Sequence, residues 1–277
     1  MNNFVVDANS LYARSWFAAQ RISPEPKEAI RLAVNTILLL LNPDTNKIGC
    51  QFDRSLFAWD SHQNKAKDRD EKPPEYHETK AVLKDVLSFM LGTVHVECPD
   101  VEGDDIAATA VYNTDPADTV YVISGDKDLM QLQGGNCQYY SLNDKAVLQP
   151  AYITHKFEHI HHPNQIALYL AVVGDQVDKI GGITNFGPVK FKKLMEAVTP
   201  KMSLVEAAEA IARQLTDSQL DEFYAALERT ALRTDVPGVP PPADIVLAAP
   251  EDVEDLGIPQ IAYYYRQVYH TYMVEPY

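Results

Sequence analysis

The chain has 277 residues, a formal charge of −15 and a composition ordinary for a folded protein, so a sizeable core is expected, in one large domain or an α/β domain with a smaller partner. The longest apolar run, Ile37 to Leu41, is far short of a membrane span, and Phe4-Val5-Val6 follows almost at once on the N-terminus with no signal-peptide pattern, so a cytoplasmic protein with no membrane partner is expected. Cys50, Cys98 and Cys137 are odd in number and in no CxxC spacing, which excludes a disulfide framework and a structural zinc site and leaves buried thiols.

Asn3-Phe-Val-Val-Asp7 predicts a short buried strand, and Glu28 to Leu41 a helix with Ile30, Val34, Ile37, Leu38 and Leu41 at helical spacing, stopped by Asn42-Pro43-Asp44. Ser55-Leu-Phe-Ala-Trp59 is a second apolar run, ending in Asp60. The polar stretch Ser61 to Thr79 carries Lys65, Lys67, Arg69 and Lys72, and its Pro73-Pro74 pair forbids a continuous helix, so an exposed, mobile element is expected. Thr79 to Leu91 predicts a helix with Val82, Val86, Phe89 and Met90 on one face, and Glu102-Gly-Asp-Asp105 opens another through Ile106, Ala110 and Val111. Thr119-Val-Tyr-Val-Ile123 is a third strand, leading into Ser124-Gly-Asp126-Lys-Asp128. Strands alternating with helices predict an α/β fold with a doubly wound, mostly parallel central sheet flanked by helices. Beyond about residue 150 the strand signal fades; Asn164 to Val173 and Pro188 to Ala197 read as helices, and Ser203-Leu-Val-Glu206 as a capping box. The proline-rich stretch from Asp235 to Pro250 predicts an extended connector.

Three predicted strands end in an aspartate, Asp7, Asp60 and Asp126, and an open parallel sheet binds ligands at the carboxyl ends of its strands. Glu102, Asp104, Asp105, Asp128, Asp175 and Asp178 bring the acids at predicted element ends to nine. One aspartate at such a place is more often a helix cap or turn residue than a ligand. A convergent set is different, because two bare carboxylates ~4 Å apart repel by roughly 4 kcal/mol at an effective dielectric of ~20 and need cations or protons to offset them. Oxygen donors without His or Cys suit Mg²⁺ or Mn²⁺. Two such ions fit phosphoryl hydrolysis, one lowering the pKa of a water and the other stabilising the leaving oxygen. With the acids gathered around cations, the overall negative charge does not exclude a polyanionic partner.

Other chemistries find less support. Glycoside hydrolysis needs two carboxylates of divergent pKa, and no Gly-x-Ser-x-Gly marks a nucleophile. His155, His159, His161 and His162 include an HxxxH spacing, but the segment ends in Pro163 and reads as a polar helix end. A receiver-like signalling module around Mg²⁺ and a ribonuclease with a related acidic core stay open as alternatives. A receiver, however, has no use for a glycine turn with its own acidic pair.

That turn runs from Gly174 to Lys190 between two predicted helices. Its Gly182 and Gly187 allow a tight backbone path, and Pro188 suits the first turn of a helix. Amides there could hold a phosphate, with Lys190, Lys192 and Lys193 nearby.

The order of motifs, Val6-Asp7-Ala-Asn-Ser-Leu-Tyr-Ala-Arg14, Trp59-Asp60, Glu102-Gly-Asp-Asp105, Ser124-Gly-Asp-Lys-Asp128 and Gly174-Asp-Gln-Val-Asp178 through Lys190, resembles the 5′-3′ exonuclease and flap endonuclease family. The resemblance covers roughly residues 3 to 200 and implies a PIN-like nuclease core over 1–162, with an arch region at 61–95. It implies a helical DNA-binding region with a helix-three-turn-helix over 163–234, followed by a connector and tail over 235–277. By resemblance, Asp7, Asp60, Glu102 and Asp104 serve one metal, and Asp105, Asp126, Asp128, Asp175 and Asp178 a second. It also implies that Arg14, Lys67 and Arg69 act at the reacting phosphate and that Lys65, Lys72 and the glycine turn contact DNA, with a K⁺ ion at the turn. The substrate implied is DNA with 5′ ends, flaps or single-strand/duplex junctions, and a monomer is expected. Lys179 stands where the family commonly has Asn, and Asn185 where glycine is frequent.

Overall fold

Strands of alternating pattern bury one residue set on each face of a sheet, and this periodicity organises the computed structural model, which describes residues 1–23, 25–61, 72–254 and 259–270. Five parallel strands stand in the order β3 (Val94–Glu97), β2 (Arg54–Trp59), β1 (Asn2–Asp7), β4 (Thr119–Ser124) and β5 (Cys137–Ser141). The two-residue strands β6 (Ala146–Val147) and β7 (Ala243–Asp244) pair antiparallel with β5 and β2. The mostly parallel sheet is therefore as expected. Val5 pairs with Leu56 on one side and Val122 on the other, so the carboxyl ends of the three central strands finish level.

Phe4, Val6, Phe57, Trp59 and Ile123 face α1 (Ala8–Ala19), α2 (Pro26–Leu41), α3 (Pro74–Leu91) and α11 (Pro259–Tyr269). Val5, Leu56, Ala58, Val120 and Val122 face the other way. They share a core with α4 (Gly103–Tyr112), α5 (Pro150–Lys156), α6 (Ile166–Val173), α7 (Pro188–Met195), α8 (Leu204–Ala212) and α9 (Asp217–Thr230). On this side α4 packs directly on β1 and β2, and the helices of residues 163–234 continue the same core. Ser203 and Glu206 form both bonds of the expected capping box. Among the described residues no helix is long and apolar enough to cross a membrane.

Several expectations need correction. The stretch Ser61 to Thr79 is not loop throughout: α3 begins at Pro74, whose missing N–H costs nothing in a first helical turn. Lys65, Lys67 and Arg69 lie outside the described residues. On α3 only Met90 of the expected face is deeply buried; Val82 and Phe89 are exposed, and the inner stripe is Tyr76, Thr79, Lys80, Leu83, Leu87 and Met90. The two stripes differ by one position, and the polar Thr79 and Lys80 disguised the true one. Only Cys137 is a fully buried thiol, with Cys50 and Cys98 part-exposed. The helix α1, the strands β3 and β5, and the helix α9 had no clear sequence pattern, because polar Ser15, His95, Gln138 and Thr230 interrupt their inner faces. The expected connector and tail contain β7, α10 (Pro250–Glu254) and α11, with Ile261, Tyr265 and Val268 fully buried against the α2–α3 side.

The end of β2, which carries Asp60, is braced by a neutral histidine. Trp59 donates its indole N–H to His95 Nδ1 at 3.0 Å, Thr93 Oγ1 meets Nε2 at 3.0 Å, and the imidazole stacks on Phe57 with ring centroids 4.9 Å apart. Burial, assisted by Lys84, pushes the imidazole pKa down to about 4. The unfolded chain takes up this proton below about pH 6.5 whereas the folded one does not, so stability is complete above that value and falls as the pH drops toward 4. Chemical denaturation at pH 7 and pH 5 should show a loss larger by roughly 2 kcal/mol in the parent than in His95→Gln; equal losses would mean that the imidazole titrates normally.

Candidate active site

Asp7 is the last residue of β1 and the N-cap of α1. Its Oδ1 accepts from the Ser10 amide at 2.9 Å and its Oδ2 from the Ser124 hydroxyl at 2.6 Å. Ser124 Oγ in turn accepts from the Asp126 amide at 2.9 Å, and Asp126 Oδ1 accepts from the Asp128 amide at 3.0 Å. The ends of β1 and β4 are therefore registered through carboxylates and one hydroxyl. Asp60, just past β2, accepts from the Gly103 amide at 2.7 Å and so caps α4 from a neighbouring strand, where the helix dipole favours negative charge. A side chain at Gly103 would place Cβ 3.1 Å from Asp60 Oδ1 and 2.9 Å from the Asn9 amide nitrogen, which is why this motif needs glycine there.

A cleft of about 750 Å³ gathers Asp7, Asp60, Glu102, Asp104, Asp126 and Asp178. A smaller cavity of about 190 Å³ adjoins it through the shared Glu102, Asp104 and Asp178, and adds Asp105 and Asp128. Asp126, expected with the second group, thus lines the cleft with Asp7. Asp105 Oδ1 accepts from the Arg233 amide at 2.9 Å. Burial pushes the Asp7 carboxyl up to about 7 against the hydrogen bonds from Ser124 and Ser10, with Asp126 and Asp60 adding like charge.

Asp128, Asp175 and Asp178 are all buried, and one ligand oxygen of each lies within 4.8 Å of the others. Three buried oxygens so close, with neither His nor Cys among them, fit a hard divalent cation. The loop that brings Asp175 and Asp178 there is closed by paired backbone bonds between Asp175 and Ile180, at 2.8 and 2.7 Å. Gly182, at φ +65°, lets that loop return against α6: a Cβ there would stand 2.5 Å from the Gly174 nitrogen. Gly182 is thus packed against backbone, whereas Gly187 is open at the N-cap of α7, with Lys190, Lys192 and Lys193 exposed beyond it. Asn185 and Lys179 both take left-handed backbone, with φ 64° and 52°. Asn tolerates this conformation, while for lysine it costs roughly 1–2 kcal/mol.

The cleft is not lined by acids alone. Arg14, Lys72, Lys80 and Lys127 reach it as well. Arg14 donates to Asn143 Oδ1, whose amide nitrogen donates to the Gly125 carbonyl at 2.9 Å. Sequence reasoning missed Lys80 and Lys127. Lys80 sits on the inner stripe of α3, Nζ 3.4 Å from the Asp60 carbonyl and 5.6 Å from the centre of the Trp59 ring. Burial lowers its pKa, and the nearby carboxylates of Asp60 and Glu97 oppose that. A lysine at helical spacing between Tyr76 and Leu83 was the signal that could have found it. Lys127 Nζ meets Asp175 Oδ2 at 2.6 Å. Of the histidines read as a polar helix end only His155 lies on a helix, α5, and His161 and His162 bond the carbonyls of Val198 and Pro200.

Comparison with known proteins agrees with this geometry. Residues 2–158 match the family model described as "5′-3′ exonuclease, N-terminal resolvase-like domain". A 5′-3′ exonuclease of Aquifex aeolicus is 24% identical over 240 residues, covering 84% of this chain and 82% of the relative. The thermostable DNA polymerase I of Thermus aquaticus is 24% identical over 243 residues, and the match spans 84% of this chain but 29% of the polymerase. In fold, the chain is similar to the flap endonuclease of bacteriophage T5, solved with DNA and metal ions, with a TM-score of 0.63 at 14% identity over 97% of this chain and 98% of that one. With more than half of its length matched by the family model, and the strand-end carboxylates of that segment facing one cleft, the chain belongs to the 5′-3′ exonuclease family.

Proposed function

We propose that the protein is a metal-dependent, structure-specific 5′ nuclease that hydrolyses DNA phosphodiester bonds near 5′ ends, flaps or single-strand/duplex junctions. The observation that carries this reading is the convergence of strand-end and helix-start carboxylates on one cleft that adjoins the buried Asp128–Asp175–Asp178 cluster. We assign Asp7, Asp60, Glu102, Asp104 and Asp126 to the cleft side of the site, and Asp105, Asp128, Asp175 and Asp178 to the deeper side. Two Mg²⁺ ions, or Mn²⁺ in their place, would supply an activated water and stabilise the departing oxygen.

The protein's own groups do the rest. Hydrogen bonds from Ser124 and Ser10 fix the Asp7 carboxylate, and the Gly103 amide fixes that of Asp60, so the oxygens need little reorganisation to act as ligands. Arg14, Lys72 and Lys80 place positive charge where the phosphate oxygens of a strand would otherwise face only acids. Lys65, Lys67 and Arg69, beside this cleft in sequence, extend that role to a 5′ single strand. Exposed Lys190, Lys192 and Lys193 beside the open Gly187 give the duplex backbone a second hold, with a K⁺ ion at the turn. The reading includes a nuclease core over 1–162 and a DNA-binding region over 163–234, acting as a cytoplasmic monomer in replication or repair.

The direct test is the purified protein with Mg²⁺ on 5′-labelled single-stranded, duplex and flap DNA. Cleavage should stop in excess EDTA, and undiminished turnover there would overturn the reading. Asp7→Ala and Asp126→Ala should each lower turnover by roughly a hundredfold or more while leaving a folded protein by circular dichroism.

Acidity should act in two opposite ways through Asp7. Because its folded pKa lies above the unfolded value, the proton it keeps stabilises the metal-free fold below that range, and this contribution is lost as the pH rises from about 4 through about 7. A divalent cation needs the same carboxylate deprotonated, so calorimetric Mn²⁺ affinity should weaken from pH 8 to pH 6 in the parent and change much less in Asp7→Asn.

Replacing Lys190, Lys192 and Lys193 together with Gln should flatten the slope of log affinity against log salt for duplex DNA by as much as about 2.7, since each phosphate contact contributes about 0.9. An unchanged slope would remove the glycine turn from the binding surface.

A further inference from the structure

The ion pair between Lys127 and Asp175 stands inside the deeper half of the site. Lys127 follows Asp126 and precedes Asp128, so its backbone is fixed by the same turn that carries two of the carboxylates. Its ammonium lies 2.6 Å from Asp175 Oδ2, on a carboxylate whose side chain is 5% exposed, while Asp175 Oδ1 accepts from the Val177 amide at 3.0 Å. Asp175 is one of the three residues whose oxygens lie within 4.8 Å of one another. The ammonium therefore holds one of the three carboxylates whose grouping fits a divalent ion. Lys127 also lines the open cleft, so its long side chain has a solvated place to go.

We propose that Lys127 is an internal counter-cation of the Asp128–Asp175–Asp178 cluster, which a divalent ion must displace from Asp175 in order to bind there. This rests on the metal-dependent reading above and deepens it. Without an ion, three buried carboxylates this close repel one another, and the lysine offsets part of that repulsion. With an ion, the cluster can drop the ammonium, because two cations on one carboxylate repel in turn. No bond is made or broken in the exchange. Its consequence is a deeper site that binds its ion more weakly than the carboxylates alone would, so occupancy there follows the metal concentration. Lys127 is a positioning residue in this account, acting through Asp175.

The test is metal binding rather than turnover. Mn²⁺ titration followed by electron paramagnetic resonance on the parent, Lys127→Met and Lys127→Arg should resolve a weaker class of ion in the parent. That class should tighten by roughly tenfold in Lys127→Met, where the competing charge is gone, and stay near the parent value in Lys127→Arg. Asp175→Asn should lose the weaker class, which assigns it to this cluster. In parallel, Lys127→Met without metal should melt at a lower temperature than the parent, with the gap narrowing when Mn²⁺ is added. A merely structural lysine would give a lower melting temperature together with equal or weaker Mn²⁺ binding, and that result overturns the proposal. If Lys127→Met does not fold, Lys127→Gln carries the same test. Binding of Mn²⁺ by neither parent nor variant would overturn the metal-dependent reading itself, whereas normal binding by the parent with no change in Lys127→Met overturns this inference alone.

Discussion

The architecture of the site depends on one carboxylate that serves two elements at once. Asp7 ends β1 and starts α1, and its second oxygen is held by Ser124 at the end of β4. Moving that carboxylate would uncouple the cap of α1 from the register of two strands. The cost of keeping an acid so deeply buried is accepted because both oxygens are already hydrogen-bonded in the fold. Asp60 repeats the device with α4, so two strand ends and two helix starts meet through carboxylates. The neutral His95 under Trp59 keeps the second of these strand ends in place without adding charge to an acidic edge.

How much of this was legible in the sequence follows from which residues carried contrast. The strands ending in Asp7 and Asp60, and the one leading to Asp126, were readable because uninterrupted apolar residues stop abruptly at a polar group. The glycine in Glu102-Gly-Asp-Asp105 is explained only by the structure, where Asp60 and Asn9 occupy the space a side chain would need. The helix α1 was hard to see because its buried face includes Ser15, whose hydroxyl bonds the Leu11 carbonyl one turn back. On α3, Val82 and Phe89 looked like the inner face because they are the more apolar choice beside Thr79 and Lys80, yet Lys80 turns inward to the cleft and Thr79 is buried with its hydroxyl on the Glu75 carbonyl. Lys127 was quoted as part of a motif with no role of its own, since an ion pair to Asp175 spans 48 positions and no local pattern encodes it.

Net charge proved a poor guide for a related reason. The overall −15 is a sum over the whole chain, whereas the field in the cleft is set by a few groups within a Debye length of each other. There the acids alternate with Arg14, Lys72, Lys80 and Lys127, and the surface beyond Gly187 carries a further basic group of three. A chain of this composition can meet a polyanion on selected faces while the remainder of its surface repels it, which favours approach in a restricted orientation.

The late part of the chain closes the early part. The strand β7 pairs with β2, and Ile261, Tyr265 and Val268 complete the core against α2 and α3, with the Tyr265 hydroxyl donating to the Met90 and Ala248 carbonyls. Synthesis is vectorial, so α2 and α3 leave the ribosome long before α11, which packs on α2 and bonds the Met90 carbonyl. At roughly 5–20 residues per second, the interval between Trp59 and Val268 is on the order of 10 to 40 s. During that time the outer side of α2 lacks part of its native cover, and the nascent chain presents it to solvent or to a chaperone. The acidic edge can be ordered early by β1, β2 and β4, whereas the cover of α2 waits for translation to run more than two hundred residues beyond Leu41.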